Sequence, residues 1–129
     1  MKLFTAILLA CVAGPGFAQA AAYDGYDACM AQSGGVTVAM LDCIGAASDQ
    51  AQSAMDALLA EHRPLLSSEQ TRALDAAQRD WHTYRQSTCN AAAALWGDGS
   101  FAAVTQADCW LELTQERLDW LQAVLAAPG

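Results

Sequence analysis

Apolar residues recur along this chain at spacings of three and four, not two. From Val36 to His62 the positions Met40, Ile44, Ala47, Ala51, Met55 and Leu58 fall on one helical face. Thr37 stands where that helix wants a cap, and Pro64 closes its far end, because a proline ring blocks continuation. Ser67 and Gln70 have capping-box spacing and open a second helix, whose stripe is Leu74, Ala77, Trp81, Tyr84, Thr88, Ala92 and Leu95. Gly97 ends it. After the loop Gly97-Asp98-Gly99-Ser100, Thr105 with Asp108 predicts the cap of a third helix, with Trp110, Leu113, Leu118, Leu121 and Leu125 on its apolar face. Residues 21–35, around Tyr23, Tyr26 and Cys29, form a short segment closed by Gly34-Gly35. No alternating run, internal repeat or low-complexity tract interrupts this pattern. Short connections make neighbouring helices antiparallel. The expected fold is therefore all-α: a small antiparallel three-helix bundle with a short N-terminal segment.

The first twenty residues do not follow the helical pattern. Met1-Lys2 is a small positive start, Leu3 to Val12 is apolar, Gly14-Pro15-Gly16 breaks any helix, and Ala18-Gln19-Ala20 has the form of a cleavage site. This is the layout of a secretory signal peptide, cleaved after Ala20. The apolar stretch is shorter than the roughly 20 residues of a membrane span. Leu8-Leu9-Ala10-Cys11 loosely resembles a lipoprotein box, but Leu9 fits it poorly, so soluble export to the periplasm or medium is the preferred reading. The domain would then run over residues 21–129.

Removing the leader changes the arithmetic of a 129-residue chain with net charge −8 and five cysteines. Lys2 and Cys11 go with it. The remaining 109 residues carry five arginines, no lysine, 14 acids and a net charge of −9. Four cysteines are left: Cys29, Cys43, Cys89 and Cys109. An even number in a small exported domain predicts two disulfides. In an antiparallel bundle all four map to one end. Cys29 and Cys43 flank the Gly34-Gly35 turn, and Cys89 and Cys109 flank the Gly99 loop, so the local pairs are favoured. Cys43–Cys89 with Cys29–Cys109 also satisfies the topology. Each closed loop contributes about 3 kcal/mol in the chain-entropy account.

This acidity excludes the basic patch that nucleic-acid binding needs and disfavours docking on anionic lipid. It suits a cationic partner. Enzymatic chemistry finds little footing. His62 sits at a helix end, where the terminal carbonyls await a donor. His82 is a boundary residue; Asp75, Arg79 and His82 share a face, but the central arginine opposes a metal there. No haem-attachment, nucleophile-elbow, phosphate-loop or zincin motif occurs. Asp108, Glu112 and Glu116 line one face of the third helix at i, i+4 spacing; on an acidic helix that pattern describes a solvated face better than an acid–base pair. The expectation is a non-enzymatic protein with no metal and no cofactor. Trp81, Trp110 and Trp120 fall on or beside apolar faces and are expected in the core. Arg85 and Arg117 are expected at its edge, paired with first-helix acids such as Asp42 or Asp49. Trp96 and Phe101 bracket the loop, where they either plug the end of the bundle or project toward a partner.

Several segments taken together resemble one family. The run Ala77-Gln78-Arg79-Asp80-Trp81-His82-Thr83-Tyr84-Arg85-Gln86-Ser87-Thr88-Cys89 is similar to the A-Q-x-x-W-x-x-[FY]-R-x-x-x-C signature of the lysozyme inhibitor LprI-like family. Upstream, Thr37, Met40 and Cys43 match its T-x-x-M-x-x-C segment. Downstream, Gly97-Asp98-Gly99-Ser100, Cys109 and Leu113-Thr114-Gln115-Glu116-Arg117 match G-G-S…C…L-T-x-x-R, with Asp98 where a second glycine is common. The resemblance spans about residues 26–121. It implies a small exported, cysteine-containing helical protein and a protein partner, a basic lysozyme, toward which a charge of −9 would be steered. The alternative within the same reading is an envelope module that binds another ligand without inhibiting lysozyme. Gln78, Trp81, Arg85 and Arg117 are expected as an inter-helix polar clamp, with Thr37, Met40, Tyr84, Gly99 and Ser100 as structural motif positions. A contact surface is expected at Trp96, Asp98, Ser100, Phe101 and Asp108.

Overall fold

In a computed structural model of the chain, residues 25–126 are described; the expected leader, with the cleavage position expected at Ala20 and with Cys11, lies outside them. Four α-helices follow one another: α1 (Tyr26–Gln32), α2 (Thr37–His62), α3 (Ser68–Leu95) and α4 (Ser100–Leu125). A 3-10 turn, Arg63–Leu65, joins α2 to α3. The all-α bundle is the one the periodicity predicts, and the N-terminal segment adds a short helix to it.

The helix ends show which local signals held. Ser67 and Gln70 form the full capping box: the Gln70 N–H donates to Ser67 Oγ at 3.2 Å, and the Ser67 N–H donates to Gln70 Oε1 at 2.8 Å. Such a cap contributes about 1 kcal/mol. The His62 ring nitrogen Nδ1 meets the Leu58 carbonyl at 3.0 Å, and Pro64 falls in the first turn of the 3-10 segment, where its missing N–H costs nothing. Thr37 does not cap α2. Val36 occupies the cap position and Thr37 is already helical, one residue too late for its hydroxyl to serve. Nor do Thr105 and Asp108 open the last helix: α4 starts at Ser100, five residues earlier. Gly97 (φ 75°) and Gly99 (φ 136°) take backbone conformations closed to most side chains and reverse the chain within three residues, so the helix restarts at once. Asp98 between them has no positive φ, so its departure from the glycine of the motif costs the turn nothing.

Helix α4 packs against both α2 and α3. Ile44 meets Leu111 and Met55 meets Leu121, so α2 and α4 run parallel; Cys89 meets Cys109 and Gln78 meets Arg117, so α3 runs the other way. The apolar core is in two pieces. Near the loop end, Ile44, Ala47 and Leu111 are buried, with Tyr26, Met30, Val104 and Ala107 around them. Toward the other end, Met55, Leu59 and Leu121 are buried, with Leu58, Leu74, Leu118 and Leu125 around them. Each fully buried aliphatic side chain contributes about 1.5–3 kcal/mol. The buried face of α4 is thus set by Leu111, Thr114 and Leu121, and that of α3 by Gln78, Arg85 and Cys89. Both differ from the stripes expected: Tyr84 and Leu95 are exposed, because α3 turns its polar motif residues inward.

Disulfides join Cys29 to Cys43 and Cys89 to Cys109, with Cα atoms 5.8 and 5.6 Å apart. The first ties α1 to α2, the second ties α3 to α4 beneath the loop. The crossed pairing is not the one formed.

Candidate functional site

Between the two apolar clusters the interior becomes polar. Arg85 comes from α3 and is only 5% exposed. Its guanidinium lies between two indoles, 3.9 Å from the Trp110 ring centre and 4.4 Å from that of Trp81. Nη1 donates to Thr114 Oγ1 at 2.7 Å and to Gln52 Oε1 at 3.3 Å; Nη2 donates to His82 Nδ1 at 3.2 Å. Thr114 is fully buried and passes its own hydrogen to the Trp110 carbonyl at 2.6 Å. Arg117 of α4 repeats the arrangement. Its Nε donates to Gln78 Oε1 at 2.7 Å, and its guanidinium lies 4.2 Å from the Trp120 ring centre and 5.8 Å from that of Trp81. Indole and guanidinium therefore alternate across the α3–α4 seam in the order Trp110, Arg85, Trp81, Arg117, Trp120.

Helical spacing produces this stack. Gln78, Trp81, Arg85 and Cys89 share one stripe of α3, and Trp110, Thr114 and Arg117 share one stripe of α4. Running antiparallel, the stripes bring Arg85 opposite Thr114 and Arg117 opposite Gln78. Neither arginine has a carboxylate partner among the described residues, whose one salt bridge is Arg63–Asp75 at 2.6 Å. The expected pairs with Asp42 or Asp49 are not made. Neutral acceptors take their place, and the nearest negative charge arrives at one remove: Gln52 accepts from Arg85 and donates to Asp56 Oδ1 at 2.9 Å. Burying a cation costs several kcal/mol. Ring faces offset it by about 0.5–2 kcal/mol each. The acceptors add bonds to a charged group worth roughly 1.5–3 kcal/mol. Burial pulls both guanidiniums below their ordinary value, yet arginine stays protonated. His82 is pulled down by burial first and by the neighbouring Arg85 and Arg117 cations, against the opposing pull of Asp56.

Gln78, Trp81, Arg85 and Arg117 are thus brought together as a clamp. Sequence reasoning missed its other half, Gln52 and Thr114. Thr114 sits in the matched L-T-x-x-R stretch, which was a usable signal; Gln52 lies 33 residues from Arg85 with no local mark. The tryptophans are less buried than expected. Trp81 and Trp110 are half-buried, and Trp120 is 46% exposed because it covers Arg117 from outside the core.

Two surfaces lie beyond this stack. At the loop end, Trp96 and Phe101 are 62% and 58% exposed and pack edge to face, ring centres 4.7 Å apart, with exposed Leu95 beside them. They do not plug the bundle. Asp98 and Ser100 are exposed between them. Asp108 sits on the flank about 10 Å further along α4, where the Tyr26 hydroxyl donates to Oδ1 at 3.5 Å. Burial, then that carboxylate, pushes the Tyr26 phenol up. Thr37 and Met40 are half-buried in the first turn of α2, and Gly99 occupies the cap position of α4. The second surface is a groove along the α3–α4 seam. One hollow of about 320 Å³ is walled by Leu66, Ala73, Leu74, Ala77, Trp120 and Leu125. A second, about 180 Å³, is walled by Trp81, Tyr84, Leu113, Glu116, Arg117 and Trp120.

Glu112 and Glu116 are exposed on α4, Glu116 at the wall of the second hollow. No cluster of three metal-ligating side chains occurs among the described residues, and no helix among them is long and apolar enough to cross a membrane. Residues 29–121 match the family model described as Lysozyme inhibitor LprI. Neither the curated proteins nor the solved structures compared with the chain gave a match.

Proposed function

The chain belongs to the LprI lysozyme inhibitor family, and from that premise we propose that it is an exported protein that binds a basic lysozyme and blocks its cleft. The family is one of inhibitors, not of enzymes, which agrees with the lack of catalytic motifs in the sequence. The observation that carries the reading is the family match. The exposed Trp96–Phe101 pair supplies a contact surface of the kind that dominates protein interfaces, a large aromatic anchor fixed on a stapled end. Asp98 and Ser100 lie between the rings, and Asp108 lies on the flank, where they contact basic groups at the rim of the enzyme. A net charge of −9 after leader removal speeds encounter with a cationic partner and makes it salt-sensitive.

The test is a cell-wall clearance assay with the purified domain, residues 21–129, against a basic lysozyme at low salt. Loss of lysis at a few-fold molar excess, relieved by added salt, is expected. Full lysis at large excess overturns the reading for that enzyme. Binding without loss of lysis assigns the protein to the envelope modules that engage a partner without inhibiting it.

A further inference from the structure

The α3–α4 groove lies away from the loop end and is not needed for the proposed inhibition. Its two hollows share Trp120 as a common wall, so they form one trough. From Gln70 to Tyr84 it follows α3 for about 20 Å, the length of roughly four helical turns. The upper hollow is almost wholly apolar, with Gln70 its one polar side chain. Tyr84 and Trp120 remain 54% and 46% exposed along it, which is apolar surface that a partner would cover.

The borders of the trough have a single sign. Helical spacing puts Glu69 and Asp80 beside Ala73 and Ala77 on the α3 edge. On the α4 edge Glu116 lines the wall, with Glu112 and Asp119 one turn to either side. All five are exposed, and none makes a salt bridge within the described residues. The cation nearest the floor, Arg117, is turned inward to Gln78 and covered by Trp120. An apolar floor between unpaired carboxylates repels an anionic amphiphile and matches one kind of occupant: an amphipathic helix with an apolar face flanked by lysines or arginines. The geometry points to this groove as a docking site for a cationic amphipathic helix of a partner polypeptide, a second interaction surface beside the loop end.

The probe is a synthetic leucine–lysine peptide of roughly five helical turns, titrated into the domain and read by tryptophan fluorescence and calorimetry. Saturable one-to-one binding that weakens with salt is expected. Ala73→Arg places a long cationic side chain in the trough at an exposed helical position and should weaken binding about tenfold or more, with the circular-dichroism spectrum unchanged. Asp80→Asn with Glu116→Gln removes two of the five border carboxylates and should lower the salt dependence of binding. The Trp96→Ala, Phe101→Ala variant should bind the peptide as the parent does, which separates this site from the inhibitory surface. Equal binding by Ala73→Arg, or by the same peptide with glutamate in place of lysine, overturns the proposal. Self-association through the groove that excludes the peptide overturns it as well and assigns the face to a second copy.

Discussion

The middle of the bundle and its loop end use the same residue types in opposite ways. In the middle, Trp81 and Trp110 close on Arg85, and every strong donor of that arginine but Nε reaches a neutral acceptor. At the loop end, Trp96 and Phe101 pack edge to face and remain largely open to solvent. The inner arrangement holds most of the segment that resembles the family signature; the outer one lies largely beside it. A family match of this kind therefore reports first on how α3 and α4 are held together. The proposed contact surface at the loop end is built on that frame by residues the motif barely includes.

The contrast can be broken most forcefully at Arg85. Replacing it by alanine leaves a hole between two indoles and removes the bonds to Thr114 and Gln52, for an expected loss of about 3 kcal/mol. Arg85→Met keeps the volume and removes the buried charge, and should stay within about 1.5 kcal/mol of the parent. Denaturant melts of both variants decide the matter. If methionine costs as much as alanine, the charge and not the packing holds the seam.

The loop end should respond in binding and not in stability. Trp96→Ala with Phe101→Ala is expected to leave the melt unchanged and to weaken lysozyme inhibition by about 2 kcal/mol, roughly thirtyfold. A large drop in melting temperature would mean that the pair is a structural plug after all.

The smallest effect is a pH dependence of the inner region. His82 is exposed, so its influence is modest, but its Nδ1 accepts from Arg85. Burial and the Arg85 cation hold its folded value below the ordinary histidine value, so the unfolded chain takes up the proton first. Stability is complete above the unfolded value and falls as the pH drops from it toward the lower folded value. His82→Gln, which can still accept, should flatten the slope as the pH falls below about 6.5. An unchanged slope would place the titrating group elsewhere.

Much of this was legible in the sequence because it is local. Ser67 and Gln70 are three residues apart, and their reciprocal bonds form wherever a helix starts there. The spacing of Met55 from Ala51 and of Leu121 from Leu125 needs only a helical period. Short turns at Gly34-Gly35, at residues 63–67 and at Gly97–Gly99 send successive helices back along one another, which gathers the four cysteines at one end. Three things were not legible, each for a physical reason. Thr105 looked like a cap because hydroxyl caps are recognised by composition, whereas Gly97 and Gly99 reversed the chain earlier through backbone freedom. The apolar stripe places Tyr84 and Leu95 inward, whereas the antiparallel register of α3 against α4 gives the interior to Gln78 and Arg85. The arginines looked like members of ion pairs because acids were available. Only the packing could show that rings and neutral oxygens surround them. Periodicity and turn chemistry determine the helices, their order and their staples, since each acts within a few residues. The arrangement of side chains across the seam depends on which faces meet at which height, and that exists only once the helices are packed.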